Sequence, residues 1–382
     1  NELQAETSFS FYSKSWLIRT QSVHHGLAEQ PVTLTSQNSL RLMWDHFEDD
    51  VSLQLHYEVS PVYSDQPNQS LSNTLAADNQ VYRISDPVRA PVSGRHHVVY
   101  QNLDRLNLRW SVGGGDLTIG RQAIAFGAAR MVNPTDVFLP FDVKILNTEY
   151  KTGVDALRYQ YPLGTLSELD IGYVAGPHAK WNDSGAYVQL KTSIAGRDWS
   201  FNLMRYGSET LVGAGLETSL GDFGAWFELT HVEGQHNYAR ASAGVDYGLT
   251  DNAFAMLEYH YNGAGTTDSR DYFSLLSTTA WQKGGVFLFG RHYLMPSLSV
   301  QLSPLLSSSL SLVWNLDDDS SYTSWGLDYN AREDLYLGVG YQFFHGDPPR
   351  SLNTNLPVGI NVPGSEYGAS PDNFYVRLAW YF

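Results

Sequence analysis

The chain has 382 residues, 24 basic against 40 acidic side chains, a formal charge of −16 and no cysteine. These figures exclude a disulfide framework, thiol catalysis and Cys-ligated metal centres, and an acidic chain repels nucleic-acid phosphates. Aromatic residues at 13 % exclude a disordered chain, and nowhere do 18 apolar residues run together to form a membrane-spanning helix.

The dominant periodicity along the chain is two, the signature of strands with one wet face. Val51, Leu53, Leu55, Tyr57 and Val59 alternate with Ser52, Gln54, His56, Glu58 and Ser60. At the end of the chain Phe374, Val376, Leu378, Trp380 and Phe382 alternate with Tyr375, Arg377, Ala379 and Tyr381. In chain order the pattern predicts strands at 7–20, 33–46, 51–63, 97–112, 116–126, 152–162, 167–176, 185–195 and 198–206. It continues with 209–220, 222–233, 237–249, 252–264, 286–303, 307–316, 321–331, 334–345 and 373–382, which makes eighteen.

Connection lengths alternate as well. Short turns rich in Gly, Asp and Asn lie at 48–50, 113–115, 162–164, 196–198, 221–222, 250–252 and 331–334. Long connections lie at 64–96, 127–151, 265–285 and 346–372. Strands of about ten residues joined this way predict an all-β, transmembrane, antiparallel up-and-down barrel with short periplasmic turns and long extracellular loops. Such a sheet must close on itself, because lipid offers no partner to an open edge. An even strand number then puts both chain ends on the periplasmic side, and residues 1–382 read as one barrel domain. A soluble β-sandwich is the competing reading. Aromatics at strand ends (Trp44, Trp110, Tyr161, Tyr259, Trp314, Tyr329) weigh against it, since membrane girdles lie there.

The sequence resembles Gram-negative outer-membrane porins along its whole length. The terminal NFYVRLAWYF resembles the signal strand that the barrel-assembly machinery reads, which implies that Phe382 is the assembly signal. The segment LTIGRQAIAFGAARMVNPTDVFLPFD (117–142) is similar to one in alginate-export-type and related 18-stranded porins, matching at Gly120, Arg121, Gln122, Gly127 and Arg130. The resemblance implies a barrel and a channel. Alginate itself fits poorly, because a polyuronate calls for an arginine-dense lumen and this chain carries only 24 basic residues.

With the polar face of each strand turned to the lumen, Arg41, Arg105, Arg109, Arg158 and Arg377 gather around the closure seam. Glu168, Asp170, Glu217, Glu228, Asp246 and Glu258 stand opposite, relieved by Lys191 and Arg240, with Arg291 and Asp328 following. A wall that is basic on one side and acidic on the other selects polar or charged permeants through a transverse field; mutual pairing that merely keeps the lumen wet is the plainer reading. Alternation puts Arg121 on the outer face with Leu117 and Ile119, an awkward place for a charge that a bulge, a position above the membrane or a slipped register would each explain. The loop 127–151 is the expected constriction, with Arg130, Pro134, Asp136, Phe138, Pro140 and Phe141 suited to an inward fold, and a well-packed surface loop is the competing reading. Loop 64–96 is polar and reads as an extracellular flap.

Adjacent histidines at 24–25 and 96–97 point to opposite faces of a strand and do not chelate a metal by themselves. Acidic triplets at 48–50 and 317–319 lack EF-hand spacing, although 317–319 suits divalent ions that bridge lipopolysaccharide. No catalytic residue, metal site or cofactor is expected. The leading function is an outer-membrane channel for small polar or anionic solutes, set in the lipid bilayer and lipopolysaccharide. The alternative is a sleeve that insulates a periplasmic or lumenal protein partner, such as a multihaem cytochrome or a lipoprotein.

Overall fold

A computed structural model describes the chain except for residues 1–4, 26–27, 68–80, 86–89, 91, 141 and 353–359; at 23–25, 28–30, 351–352 and 360–361 it describes backbone alone. Eighteen strands form the wall. They are β1 (Glu6–Thr20), β2 (Thr33–Glu48), β3 (Val51–Ser64), β4 (His97–Val112), β5 (Gly115–Gln122) and β6 (Val154–Gly164). Next come β7 (Ser167–Val174), β8 (Gly185–Ile194), β9 (Arg197–Tyr206), β10 (Glu209–Leu220), β11 (Phe223–Glu233) and β12 (Tyr238–Thr250). The set ends with β13 (Ala253–Asn262), β14 (His292–Ser303), β15 (Leu306–Asn315), β16 (Ser320–Arg332), β17 (Leu335–His345) and β18 (Asn373–Tyr381). Each strand pairs antiparallel with its sequence neighbours, and β1 closes the sheet on β18, with Tyr12 opposite Tyr381 and Thr20 opposite Asn373.

The two faces of this sheet are inverted relative to a soluble barrel. Outward-facing Leu42, Leu108, Ile119, Leu157, Leu203, Val212, Leu229, Leu257 and Val376 are exposed around the whole circumference. Their inward neighbours include Arg41, Asn107, Thr118, Gln189, Asn202 and Ser242, all buried inside. An apolar belt of that extent far exceeds the few hundred Å² that a soluble monomer tolerates, and it suits a hydrocarbon surround. Trp110, Tyr161, Tyr259, Trp314, Tyr329 and Trp380 are exposed on this face near the strand ends, as a girdle requires. Phe382 lies outside as well, stacked 4.9 Å from Phe11. Among the described residues no helix is long and apolar enough to cross a membrane.

Turns at one rim are two residues long: 49–50, 113–114, 165–166, 195–196, 221–222, 251–252, 304–305 and 333–334. Positive φ at Gly113 (64°), Gly114 (81°) and Gly196 (72°) shows why glycine sits there. The predicted turn at 162–164 is displaced, since β6 runs on through Gly164 and the chain reverses at 165–166. The opposite rim carries the long connections 21–32, 65–96, 123–153, 175–184, 263–291 and 346–372, together with three short ones. Two predicted strands are too long. The one at 116–126 stops at Gln122, and the one at 286–303 begins at His292. In both, the alternation of the extra residues comes from extended loop packed on an internal core, where Ile124, Phe126, Val286 and Leu288 are buried.

Candidate functional site: a collar inside the barrel

The connection 123–153 does not project from the rim. It enters the lumen and follows the inner wall around most of its circumference. Its first part buries Ile124, Phe126, Val137, Phe138 and Leu139 against Val174, Tyr187, Met204, Leu211 and Val232 of β7–β11. Phe138 meets Tyr82 edge-on at 4.9 Å, and Phe126 meets Tyr187 at 4.8 Å. Val132, Met131 and Val143 then pack with Tyr293, Met295, Val313 and Tyr322 of β14–β16. Leu146 reaches Trp16, Ile18 and Tyr375 of β1 and β18, across the seam.

Polar contacts fix the same path. Glu228 of β11 accepts from the N–H groups of Ala128 (2.8 Å), Ala129 (3.3 Å) and Thr135 (2.6 Å), and from the Thr135 hydroxyl (2.6 Å). Glu258 of β13 accepts from Arg130 N (2.9 Å), Met131 N (3.2 Å), Val132 N (2.9 Å) and Trp226 Nε1 (2.8 Å). Ser242 donates to the Val132 carbonyl and Arg240 to the Pro134 carbonyl. On the far side Lys14 of β1 donates to Asn147 and Glu149, and Tyr381 of β18 also donates to Glu149. Inside the collar Lys151 pairs with Asp136, where burial pushes the carboxyl up against the pull of the lysine charge.

This arrangement corrects part of the expected bipolar wall. Glu228 and Glu258 are fully covered by the collar, so they fasten it and do not face open lumen. Arg41 and Arg105 are also buried: Arg41 pairs with Asp104 and with Glu58, and Arg105 pairs with Asp104 at 2.6 Å. Arg105 Nη2 also donates to the Lys151 carbonyl, so these arginines lock the return of the collar into the wall. A bulge at Asp104 turns both Asp104 and Arg105 inward, which strict alternation did not foresee. Asp170 is buried and binds Arg158 (2.6 Å) and the Tyr187 hydroxyl (3.0 Å). Arg291 is not on the wall. It lies in the loop before β14, where its Nε donates to the Gly265 carbonyl.

Other predicted charges do border water. Arg130 is about half exposed, stacks on Trp226 at 5.3 Å and pairs with Glu217 at 3.0 Å. Arg109 pairs with Asp116 near the short-turn rim, and Arg377 with Asp328 at 2.6 Å. Glu168 accepts from Gln160, and Asp246 faces Gly224 across β11 and β12. Of the collar residues expected at the constriction, Pro134, Asp136 and Phe138 are interior to the collar, Arg130 is at its rim, and Phe141 lies outside the described residues.

The acidic turn 317–319 is occupied by protein donors. Asp317 accepts from Arg291 N and His292 N, Asp318 from Tyr272 and Glu366 N, and Asp319 from Trp314. Glu366 sits largely enclosed above it, accepting from Phe289 N, Tyr293 and Asn315, and burial pushes its carboxyl up to about 7. His96 holds the Ser64 carbonyl and stacks on Tyr63, whereas the side chains of His24 and His25 lie outside the described residues.

No family profile matches the chain, and no curated protein matches it in sequence. Solved structures do match its fold. OccAB2 of Acinetobacter baumannii superposes with a TM-score of 0.60 at 10 % identity, covering 98 % of each chain. OccK5 (OpdH) of Pseudomonas aeruginosa superposes at 0.60 with 8 % identity, over 99 % of this chain and 98 % of that one. OpdK of Pseudomonas aeruginosa, solved with vanillate, superposes at 0.59 with 10 % identity over 99 % and 98 %. The chain therefore has the closed 18-stranded antiparallel barrel fold of these proteins.

Proposed function

We propose that the chain is a selective channel of the Gram-negative outer membrane, a single barrel domain that passes small polar or anionic solutes by diffusion. The observation that carries this reading is the collar 123–153, which narrows the lumen from within and sets Arg130 and Glu217 side by side at its edge. A pore held open by folding alone needs no such fixture; a selective one does. The segment 127–151 is then the constriction. Arg109, Arg130, Arg158 and Arg377, set against Glu168, Glu217, Asp246 and Asp328, supply the field that orients a permeant. Arg41, Arg105, Glu228 and Glu258 act one layer back, by holding the collar in position. The likeness to OpdK, solved with the organic anion vanillate, supports the choice of a small anion.

A collar built from the chain itself occupies space that a lumenal partner would need, so the sleeve is the weaker reading. Planar-bilayer recording on the purified full-length chain tests the proposal. Discrete conductance steps are expected, with a reversal potential in asymmetric salt that favours anions. A reconstituted barrel without conductance would overturn it.

A further inference from the structure

The outer wall is notched at the long-loop end of β5. This strand has eight residues, whereas β4 beside it has sixteen, and their pairing stops at Leu106–Arg121. The gap above is patched by residues 82–85, a piece of the loop between β3 and β4. Asp155 N donates to the Tyr82 carbonyl at 3.0 Å, Ile84 N to the Asp155 carboxylate at 2.8 Å, and Arg121 Nη2 to the Ser85 carbonyl at 3.0 Å. Arg121 does face outward, as alternation predicts. Its charge is met directly across the strands by Asp155 at 2.7 Å, and the pair lies largely buried at the edge of the patch.

Among the described residues, what remains open is a cavity of about 570 Å³ on the face turned to lipid, lined mainly by Leu103, Leu106, Ile119, Leu157 and Tyr173, with the neutralised Arg121–Asp155 pair in its wall and Ala179 as its roof. That volume is in the range of a ligand pocket. Its roof is held in a costly conformation: consecutive non-glycine residues His178 (φ 56°) and Ala179 (φ 53°) are left-handed, and His178 N donates to the Ile84 carbonyl at 3.0 Å. Basic side chains gather at the rim. His178 and Lys180 are exposed, and Arg205 stacks 4.3 Å over Trp181, which itself stacks on Tyr173. Among the described residues the acids nearby are engaged, Asp155 by Arg121 and Asp183 by Lys283. An apolar slot below an aromatic girdle, with surplus positive charge at its mouth, matches an acyl chain below a phosphate.

We propose that this notch seats one acyl chain of a phosphorylated glycolipid of the outer leaflet, with the phosphate held at His178, Lys180 and Arg205. The proposal rests on the outer-membrane reading above. It is tested by native mass spectrometry of the purified full-length chain in detergent, titrated with diphosphoryl lipid A or with the same lipid stripped of phosphate. One lipid A per chain is expected, with at least tenfold weaker retention of the stripped form. Ala179→Trp, which fills the slot, and Lys180→Glu, which reverses the rim charge, are each expected to lose at least tenfold. Retention equal to wild type in either variant, or indifference to the phosphates, overturns the proposal. Unchanged conductance of both variants certifies folded barrels. A barrel that conducts but retains no lipid overturns the notch alone, whereas one that retains lipid and never conducts overturns the channel alone.

Discussion

The collar is held on its two sides by opposite chemistry. On the β11–β13 side, the buried carboxylates of Glu228 and Glu258 make no salt bridge among the described residues; they are met by backbone N–H groups, the Thr135 hydroxyl and the indole of Trp226. On the seam side, charge meets charge: Lys14 pairs with Glu149, and within the wall Arg41 and Arg105 share Asp104, a cluster that holds the Lys151 carbonyl and Gly153 N. Amide dipoles that converge on a carboxylate fix the backbone path itself, because each bond names a point on the main chain. Ion pairs fix side-chain ends and leave the backbone between them more freedom. The comparison teaches that the collar backbone is fixed at more points where it meets β11–β13 than near the seam.

Four experiments would break or sharpen this contrast. The largest effect is expected from Arg41→Met, which leaves the buried Glu58 without its ion pair and Asp104 with Arg105 and Arg83 alone. A loss of about 3 kcal/mol is expected in urea unfolding, largely recovered in the double variant that also carries Glu58→Gln, which neutralises the carboxylate and can still hydrogen-bond Ser39. Next is Glu258→Ala, which leaves three backbone N–H groups and the Trp226 indole without their acceptor. At about 1 kcal/mol or more for each orphaned donor, the collar should detach on that side, and single-channel current should become larger and noisier. Quiet current at wild-type amplitude would show that apolar packing alone holds the loop.

The third concerns pH. Folding raises the Glu366 carboxyl from 4.5 to about 7, chiefly by burial. The enclosed site therefore prefers the protonated form. Its full contribution to loop closure is present below pH 4.5 and declines by up to tenfold per unit as pH rises through 7. The groups facing Glu366 are Tyr293, Asn315, Phe289 N, Asp318 and Lys144. Protection of residues 360–372 from hydrogen exchange should fall between pH 5 and 8 in the wild type and stay flat in Glu366→Gln. The smallest effect on stability is expected from Arg130→Ala, since an ion pair this exposed contributes little. Its signature should be a reversal potential displaced toward cations with unfolding unchanged.

The wall was legible in the sequence because a strand that faces lipid on one side and water on the other writes its geometry into every second residue. Leu157 beside Arg158 and Val376 beside Arg377 declare both faces without any knowledge of partners. The collar was only half legible. Its place in the chain and its inward fold follow from Pro134 and Phe138, but nothing local to Glu228 or Glu258 says that a loop about 100 residues earlier covers them. Alternation reports which face a carboxylate is on and not what lies over that face. The same limit applied to 286–291, where burial against the collar core imitates a strand. It applied again to Arg121, whose outward position alternation marked as awkward and whose partner Asp155, in the next strand along, became visible only with the register.

The anchors of the collar have a consequence for how the barrel is made. The contacts that seat residues 128–135 are separated from them by 93 to 128 positions, and those that seat Glu149 span 135 positions back to β1 and 232 forward to β18. Each is a long-range closure whose chain entropy is lost only when its strand has arrived. The collar therefore cannot settle until β13 is in the sheet, and its last contact forms only when β18 meets β1. Seating of the collar and completion of the cylinder are one event, so a barrel stalled short of its final strand is also an unfinished filter.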